Sequence, residues 1–375
     1  MKIDKLHFEN LHWIVEDINE CDSNAADIVF VFGDLETIKN HNHNALLKKI
    51  YPNAHIVGTS TAGNILDDGL SEYSAVATAI SFDKAKVAVN SSVTHSDSLE
   101  EDAKALIENL DHDGLKHVFV LVQGLKIDAS KLVKGFNADK NVTITGGVSA
   151  GSLKFEDTYV FCNGSTDINM AVAVGFYGES LHIGIGCKAG WKEFGAQRVV
   201  TRSDGNIVYE IDNKPALKFY ERYLGEYIKD LPASGLLFPL SVKRDEAEKN
   251  EVIRVMMGIN EDNSIVYAGD VPEGSRVRLM KTNIDNLIDG AGLAANSIKP
   301  YNDKRSLSLG VSCSGRLSVL KQLADEEIEV MQEILTEKSQ LVGFYSYGEI
   351  APFSNDLLNC KLHNQTMTLT TIFED

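Results

Sequence analysis

The sequence predicts an α/β protein in which mixed sheets are flanked by helices. Short, mostly apolar runs at residues 27–33 and 116–124 are typical of buried strands. Stretches with the apolar spacing of a helix follow both runs, at residues 34–51 and 128–136. A strand–helix–strand crossover favours parallel neighbours, and later strand pairs around tight turns add antiparallel strands.

An internal repeat of a strand–helix–strand–hairpin unit occupies the first half of the chain. The two copies cover residues 27–90 and 117–187, and a helical stretch at 99–110 links them. The order of the elements and their spacing agree between the copies. Each second strand also ends in a turn of small residues, at 56–63 and at 144–151. The agreement predicts a duplication.

Two regions are predicted, residues 25–215 with the internal repeat and residues 216–375 as a C-terminal α/β region. A chain of 375 residues usually forms two or more domains. The second region begins with a meander of short strand candidates. A helix at 283–296 and a buried strand at 305–312 follow.

Composition argues against several classes of function. The chain has 36 Lys and Arg against 54 Asp and Glu, a net charge of −18, which disfavours a nucleic-acid or anionic-membrane surface. Five scattered cysteines without a CxxC pair disfavour a disulfide framework or a cysteine zinc site. Residues 1–20 lack an apolar signal segment, and the apolar runs are too short to span a bilayer. We expect a reduced, cytoplasmic protein.

A turn of small residues at 308–316 is the first candidate for a ligand site. Its candidate contacts are Gly310, Ser312, Cys313, Ser314, Gly315 and Arg316. Backbone N–H groups of such a turn can hold an anion, and Arg316 can clamp a carboxylate. The structural alternative is a packing turn in which Arg316 caps a helix or pairs with a glutamate.

Catalysis by Cys313 or Ser312, as in a hydrolase or transferase, is an alternative function. A catalytic thiol needs a lowered pKa and a nearby base. The sequence assigns no base, although His363 is a spatial candidate. The stretches at 58–62 and 310–314 approach the G-x-S-x-G nucleophile elbow but lack its final glycine. We therefore expect a binding module and not an enzyme.

Two later stretches complete the candidate site. They comprise Tyr347, Gly348 and Glu349 at the end of a strand, and His363, Asn364 and Gln365 at the start of the last strand. Glu349 either binds a ligand amine or accepts hydrogen bonds from turn amides. The second stretch either contacts a ligand, fixes the terminus by hydrogen bonds, or ligates haem or a metal.

We expect these three stretches to converge on one pocket in the C-terminal half. Consecutive elements usually lie beside each other, and crevices at the carboxyl ends of parallel strands are favoured ligand sites. Arg316 would bind the carboxylate of a zwitterion, and Glu349 would bind its amine. An amino acid or a similar small polar molecule suits this set.

Four stretches resemble the FIST family of bacterial and archaeal sensory modules. They are residues 58–63, 312–316, 343–352 and 363–366. The resemblance extends over nearly the whole chain. It implies small-ligand sensing coupled to a separate signalling protein, such as a histidine kinase of a two-component system or a diguanylate cyclase or phosphodiesterase.

The resemblance also implies a haem alternative. Some stand-alone family members look like haem-binding nitric-oxide sensors, and this chain shows no attached kinase, receiver or cyclase segment. One axial ligand suffices for non-covalent haem, and no CxxCH motif for covalent attachment occurs. We assign no metal ligand from the sequence, and haem stays open as a cofactor.

Overall fold

The residues that the structure describes form four β-sheets, with seven, six, six and eight strands and with helices packed against them. The predicted α/β class, mixed sheets flanked by helices, is confirmed. The computed structural model describes residues 1–16, 21–124, 127–139, 141–151, 158–245, 248–298, 304–335 and 337–375.

The strands before the first linking helix are β1 (Lys2–Glu9), β2 (His12–Val15), β3 (Ile28–Gly33), β4 (His55–Ser60), β5 (Asn64–Leu66), β6 (Gly69–Leu70), β7 (Ala75–Ser81) and β8 (Lys86–Val93). Those of the second copy are β9 (Leu115–Val122), β10 (Thr143–Val148), β11 (Val160–Cys162), β12 (Ser165–Asp167), β13 (Met170–Tyr177) and β14 (Leu181–Lys188). A further group is β15 (Lys192–Asp204), β16 (Ile207–Ile211), β17 (Lys214–Pro215), β18 (Leu240–Lys243), β19 (Val252–Arg254), β20 (Met256–Ile259), β21 (Ile265–Tyr267) and β22 (Arg276–Lys281). The last strands are β23 (Ser306–Cys313), β24 (Ser339–Ser346), β25 (Gly348–Phe353), β26 (Asp356–His363) and β27 (Met367–Glu374). The α-helices are α1 (Leu35–Asn40), α2 (His43–Leu47), α3 (Leu99–Glu108), α4 (Ala129–Phe136), α5 (Ala216–Leu224), α6 (Ile284–Asn296), α7 (Ser314–Leu320) and α8 (Ala324–Leu335).

The two predicted repeats have the same strand order. In the first, β3 pairs in parallel with β4 and antiparallel with β7. In the second, β9 pairs in parallel with β10 and antiparallel with β13. Both copies therefore share one strand arrangement, as an internal repeat requires.

A third unit of the same kind, which the sequence analysis did not predict, lies near the C-terminus. Here β23 pairs in parallel with β24 and antiparallel with β27. The turn at 308–316, which we grouped with the two earlier turns, belongs to a different place in the unit, because it ends the first strand and begins α7. The equivalent of the earlier turns is at residues 343–348, which end β24 and lead into β25, and the spacing G-x-x-(S/T)-x-G recurs there.

Strands that follow the parallel pair of each unit are hydrogen-bonded into the sheet of another unit, in a cyclic pattern. β5, β11 and β25, which follow the parallel pairs, join the sheets of β24, β4 and β10 respectively. β1, β8 and β14 similarly pair with β7, β13 and β27. The three sheets therefore form one three-sheet body with pseudo-threefold order.

Three equivalent backbone hydrogen bonds close this ring at the ends of the second strands. The N–H groups of Ala62, Ala150 and Tyr347 donate to the carbonyls of Tyr345, Ser60 and Val148 at 3.0, 2.9 and 3.2 Å. Each bond joins one sheet to the next, so the three strand ends meet in one place.

The central strands are apolar on both faces because both faces are covered. Their inner faces meet in a shared core, where the Phe30 ring lies 5.7 Å from Phe119 and the Phe32 ring 4.8 Å from Phe344. Their outer faces pack against helices, α3 and α4 on the second sheet and α6 and α8 on the third. Burial on two sides explains the continuous apolar runs in the sequence.

The fourth sheet is an insertion between β14 and α6. It contains β15 to β22 and has its own apolar core around α5. β15 and β16 precede residue 216, whereas β18 to β22 follow it, and all of these strands belong to this one sheet. We call residues 192–281 the inserted sheet.

Candidate ligand-binding cleft

A cleft lies where the three-sheet body faces the inserted sheet. Its main cavity has a volume of about 390 Å³, and a narrow extension adds about 50 Å³. The two share Met257, Ala268, Tyr347 and Asn364 in their walls. We call the two together the inter-sheet cleft.

The wall on the body side is built from the carboxyl ends of parallel strands. Gly124 follows β9, Val148 ends β10, Cys313 ends β23 and Tyr347 follows β24. The ring of backbone bonds brings these strand ends together. The position therefore agrees with the general preference of α/β proteins for ligand sites at this end of the strands.

The inserted sheet supplies the opposite wall, which the sequence analysis missed. Its lining residues are Asn206, Leu236, Val255, Met257, Val266, Tyr267, Ala268 and Gly269. No motif marks these positions, since they face the cleft only because the inserted sheet folds back over the body. Asp128 at the start of α4 was also missed, although its position after a buried strand was a usable signal.

Five of the twelve predicted contacts line the inter-sheet cleft. They are Cys313, Ser314, Gly315, Tyr347 and Asn364. The seven others, which are absent from its walls, are Gly310, Ser312, Arg316, Gly348, Glu349, His363 and Gln365. Two of the seven, Glu349 and His363, anchor the segment that carries Asn364.

Asn364 is the polar side chain that stands out in the cleft. It is 1% exposed and borders both the main cavity and the extension. Its Oδ1 atom has no hydrogen-bond partner among the described residues. A buried amide oxygen without a partner loses its hydration and gains nothing in return, so this atom has an unused capacity to accept a hydrogen bond.

The neighbours of Asn364 are anchored on both sides. His363 Nε2 lies 2.9 Å from the Ala351 carbonyl, and Thr366 donates to Glu349 Oε2 from its backbone N–H at 3.1 Å and its hydroxyl at 2.7 Å. Gln365 adopts a φ of 60°. This turn therefore has little freedom to swing the Asn364 side chain towards another partner.

Arg316 pairs with a glutamate of the protein, which is the structural alternative that the sequence analysis left open. The side chain is fully buried, and its Nη2 and Nε donate to Glu327 Oε2 at 2.5 and 3.0 Å. Nη1 donates to the Ala189 carbonyl at 2.6 Å and Nη2 to the Leu287 carbonyl at 2.8 Å. The guanidinium thus joins α7 to α8, α6 and the end of β14, away from the cleft.

The other oxygen of Glu327 is also satisfied. Ser312 Oγ donates to Glu327 Oε1 at 3.1 Å and the Tyr345 hydroxyl donates at 2.6 Å. Burial raises the pKa of Tyr345 well above its usual value, and the Glu327 carboxylate adds to the shift. Ser312 and Tyr345 are therefore partners of a buried ion pair.

Glu349 likewise accepts hydrogen bonds from the protein. Besides Thr366, Ser346 donates to its Oε1 at 2.9 Å. Burial raises the pKa of the Glu349 carboxyl to about 7, while the bonds from Thr366 and Ser346 and the charge of Arg316 oppose the rise. Its contacts correspond to the alternative in which it fixes a turn.

Cys313 and His363 do not form a nucleophile–base pair. Burial raises the pKa of the Cys313 thiol, and the nearby Glu349 carboxyl adds to the rise. His363 points at the Ala351 carbonyl, and burial lowers its pKa to about 4. A high thiol pKa disfavours the thiolate that nucleophilic chemistry requires.

Glycines shape the base of the site. A Cβ on Gly315 would lie 2.6 Å from Gln365 Nε2, so a larger residue here would have to displace the Gln365 side chain. A Cβ on Gly348 would lie 2.9 Å from Leu362, and Gly310 faces Leu341 and Leu369 in the core of the third unit. These positions serve packing.

The cleft offers poor ligands for haem iron. None of the ten histidines of the chain lines it, and Cys313 borders only the narrow extension. Among the described residues, no group of three or more His, Cys, Asp or Glu side chains is placed to hold a metal ion. The cleft therefore offers haem iron no histidine ligand.

Clefts between packed parts of an α/β fold are favoured positions for small-molecule sites. Residues 27–214 match the FIST N domain and residues 216–352 match the FIST C domain. The protein belongs to the FIST family. FIST domains are sensory domains that bind small ligands, which supports a sensory role for this chain.

Two further similarities extend over most of the chain. The uncharacterized protein MJ1623 of Methanocaldococcus jannaschii is 23% identical over 404 residues, which covers 96% of this chain and 76% of the archaeal protein. The crystal structure of cyanuric acid hydrolase from A. caulinodans aligns with a TM-score of 0.37 and 6% identity, covering 94% of this chain and 91% of the hydrolase. A TM-score this low does not establish a common fold. In the described part of the chain, none of the helices is long and apolar enough to cross a membrane.

Proposed function

We propose that this protein is a sensory module that binds a small molecule in the inter-sheet cleft. The observation that carries the proposal is the unpartnered Oδ1 atom of Asn364, buried where the body and the inserted sheet meet. A cavity of about 390 Å³ is within the size range of small-molecule sites. Membership of the FIST family supports the same class of function.

The cleft also suggests how binding becomes a signal. A ligand there contacts Tyr347 and Asn364 of the body and Met257 and Ala268 of the inserted sheet at once. A ligand that bridges two parts favours the arrangement in which both can touch it, and so shifts the population of arrangements. A separate signalling protein, such as a histidine kinase or a cyclic-dinucleotide enzyme, would read this shift.

We propose binding without catalysis. The raised pKa of the Cys313 thiol and the engagement of His363 with a backbone carbonyl support this part of the proposal. A free amino acid is a less suitable ligand than the sequence indicated, because Arg316 is committed to Glu327.

A cleft-filling variant tests the proposal. Ala268 borders both cavities, so Ala268→Phe should occupy the space and abolish binding of small-molecule probes detected by ligand-observed NMR. Val199→Phe is the matched control, because Val199 is 40% exposed on β15 and is absent from the cleft walls. Probes that bind both variants as they bind the wild type would place the site elsewhere and refute the proposal.

A further inference from the structure

The charges around the inter-sheet cleft leave no cation for a ligand carboxylate among the described lining residues. Arg254 lies directly behind the wall, where a Cβ on Gly269 would be 2.9 Å from its Nε. Its guanidinium donates to the Asp270 and Leu362 carbonyls at 3.1 and 3.0 Å and lies 3.4 Å from Asp270 Oδ1. A carboxylate that entered the cleft would lose its hydration without gaining a paired charge.

A cationic ligand is not favoured either. The carboxylate that lines the cleft, Asp128, caps α4 by accepting a hydrogen bond from a backbone N–H of its first turn. Arg244, Arg254 and Lys134 lie 2.9, 3.4 and 3.9 Å from Asp270 behind the same wall. Three cations near two carboxylates leave no surplus of negative charge to stabilise an ammonium group.

Most of the remaining lining is apolar. It consists of Ile127, Ala129, Val148, Met257, Val266, Ala268 and Leu362, with the rings of Tyr267 and Tyr347. The side-chain N–H of Asn206, also in the wall, already donates to the Tyr267 carbonyl at 2.9 Å. The lining therefore suits a ligand with an apolar or aromatic body and few polar groups.

The polar group of such a ligand has to match Asn364. The free Oδ1 requires an N–H or O–H donor, and the NH₂ group of the same carboxamide supplies a donor for a neighbouring acceptor. A carboxamide or lactam carries an N–H beside a C=O, so the two amides can form a pair of hydrogen bonds. A ketone or an ester lacks the donor and would leave Oδ1 unpaired.

We propose that the inter-sheet cleft binds a neutral molecule with an apolar or aromatic body whose carboxamide or lactam group pairs with the side chain of Asn364. This inference rests on the proposed function, because it names the chemical class of the ligand that the cleft senses. The hydrogen bonds that anchor the residues on either side of Asn364 would then fix the position of its side-chain amide.

Three probes of nearly the same size test the class, namely benzamide, benzoate and acetophenone. Dissociation constants measured by ligand-observed NMR on the full chain should show benzamide binding about tenfold more tightly than acetophenone, the factor for one hydrogen bond. Benzoate should bind more weakly than benzamide. Asn364→Leu should abolish the preference for benzamide but leave acetophenone binding, because the apolar lining is unchanged.

Controls separate the class of ligand from the place of binding. Asn355→Leu changes an exposed asparagine that is absent from the cleft walls, and it should leave all three constants unchanged. Thermal unfolding of both leucine variants shows whether each is folded. Equal affinities for the three probes, or tightest binding of benzoate, together with loss of binding in Ala268→Phe, would overturn the amide class and leave the cleft as the site. Binding that Ala268→Phe does not change, or no binding of any probe, would overturn both proposals.

Discussion

Replacement of Arg316 by methionine should strongly destabilise the protein without a direct effect on ligand contacts. The change keeps most of the side-chain volume, so the main effect is the loss of charge. Glu327 Oε2 loses its two donors and stays buried as a carboxylate, and the carbonyls of Ala189 and Leu287 lose theirs. Removing one partner of a buried ion pair costs about 3–5 kcal/mol in the free energy of unfolding.

Equilibrium urea unfolding measures this loss. For a chain of this length the slope of unfolding free energy against urea is about 3 kcal/mol per M or more, so the midpoint should fall by about 1 M. Arg202→Met is the matched control, because Arg202 is 59% exposed and lies 3.3 Å from Glu210. An exposed pair of this kind contributes at most about 1 kcal/mol.

A second substitution separates the effect of the unpaired charge from the effect of changed packing at residue 316. In the variant Arg316→Met with Glu327→Gln, no carboxylate is left unpaired, and the midpoint should recover part of the way towards the wild type. If Arg316→Met lowers the midpoint no more than Arg202→Met does, Arg316 is not the structural cation that its contacts indicate. Weakened probe binding in a stably folded Arg316→Met protein would instead return Arg316 to the ligand site.

Further outcomes follow from other buried groups. Because burial raises the pKa of Glu349 to about 7, its contribution to stability should be present below pH of about 4.5 and lost as pH rises towards 7; Glu349→Gln should remove this slope in urea unfolding at pH 5 and 8. Gly269→Ala should destabilise by about 2 kcal/mol, because φ is +120° and a Cβ would approach Arg254, whereas Gly258→Ala, with no atom within 4 Å of its Cβ, should be nearly neutral; equal effects would contradict the close approach. Cys313 should react with iodoacetamide far more slowly in the folded protein than in urea, as mass spectrometry can show, and rapid native labelling would revive the nucleophile alternative. Haem added to the purified protein should give no stable 1:1 complex with a Soret band that shifts with nitric oxide, since no histidine lines the cleft; such a complex would restore the haem alternative.

The repeat was visible in the sequence for a local reason. Strands covered on both faces become continuous apolar runs, and turns of small residues recur where two backbones approach closely, so residues 27–90 and 117–187 show the same order of elements. The third unit could not be predicted in the same way. A long insertion precedes it, and its turn at 343–348 has aromatic residues where the other two turns have small ones. Its equivalence rests on hydrogen-bond order, which a single sequence does not contain.

From the sequence alone we could predict the α/β class, the repeated order of elements and the three stretches around Arg316, Glu349 and Asn364, because these depend on periodicity and on residue chemistry within short segments. Which side chains of those stretches border the cleft depends on the tertiary structure. A guanidinium can reach a carboxylate of the protein as readily as one of a ligand, and the position of α8 places Glu327 against Arg316. Asn364 could be distinguished from its neighbours only once all of its surroundings were in place, because an unpartnered polar atom is a property of everything packed around it.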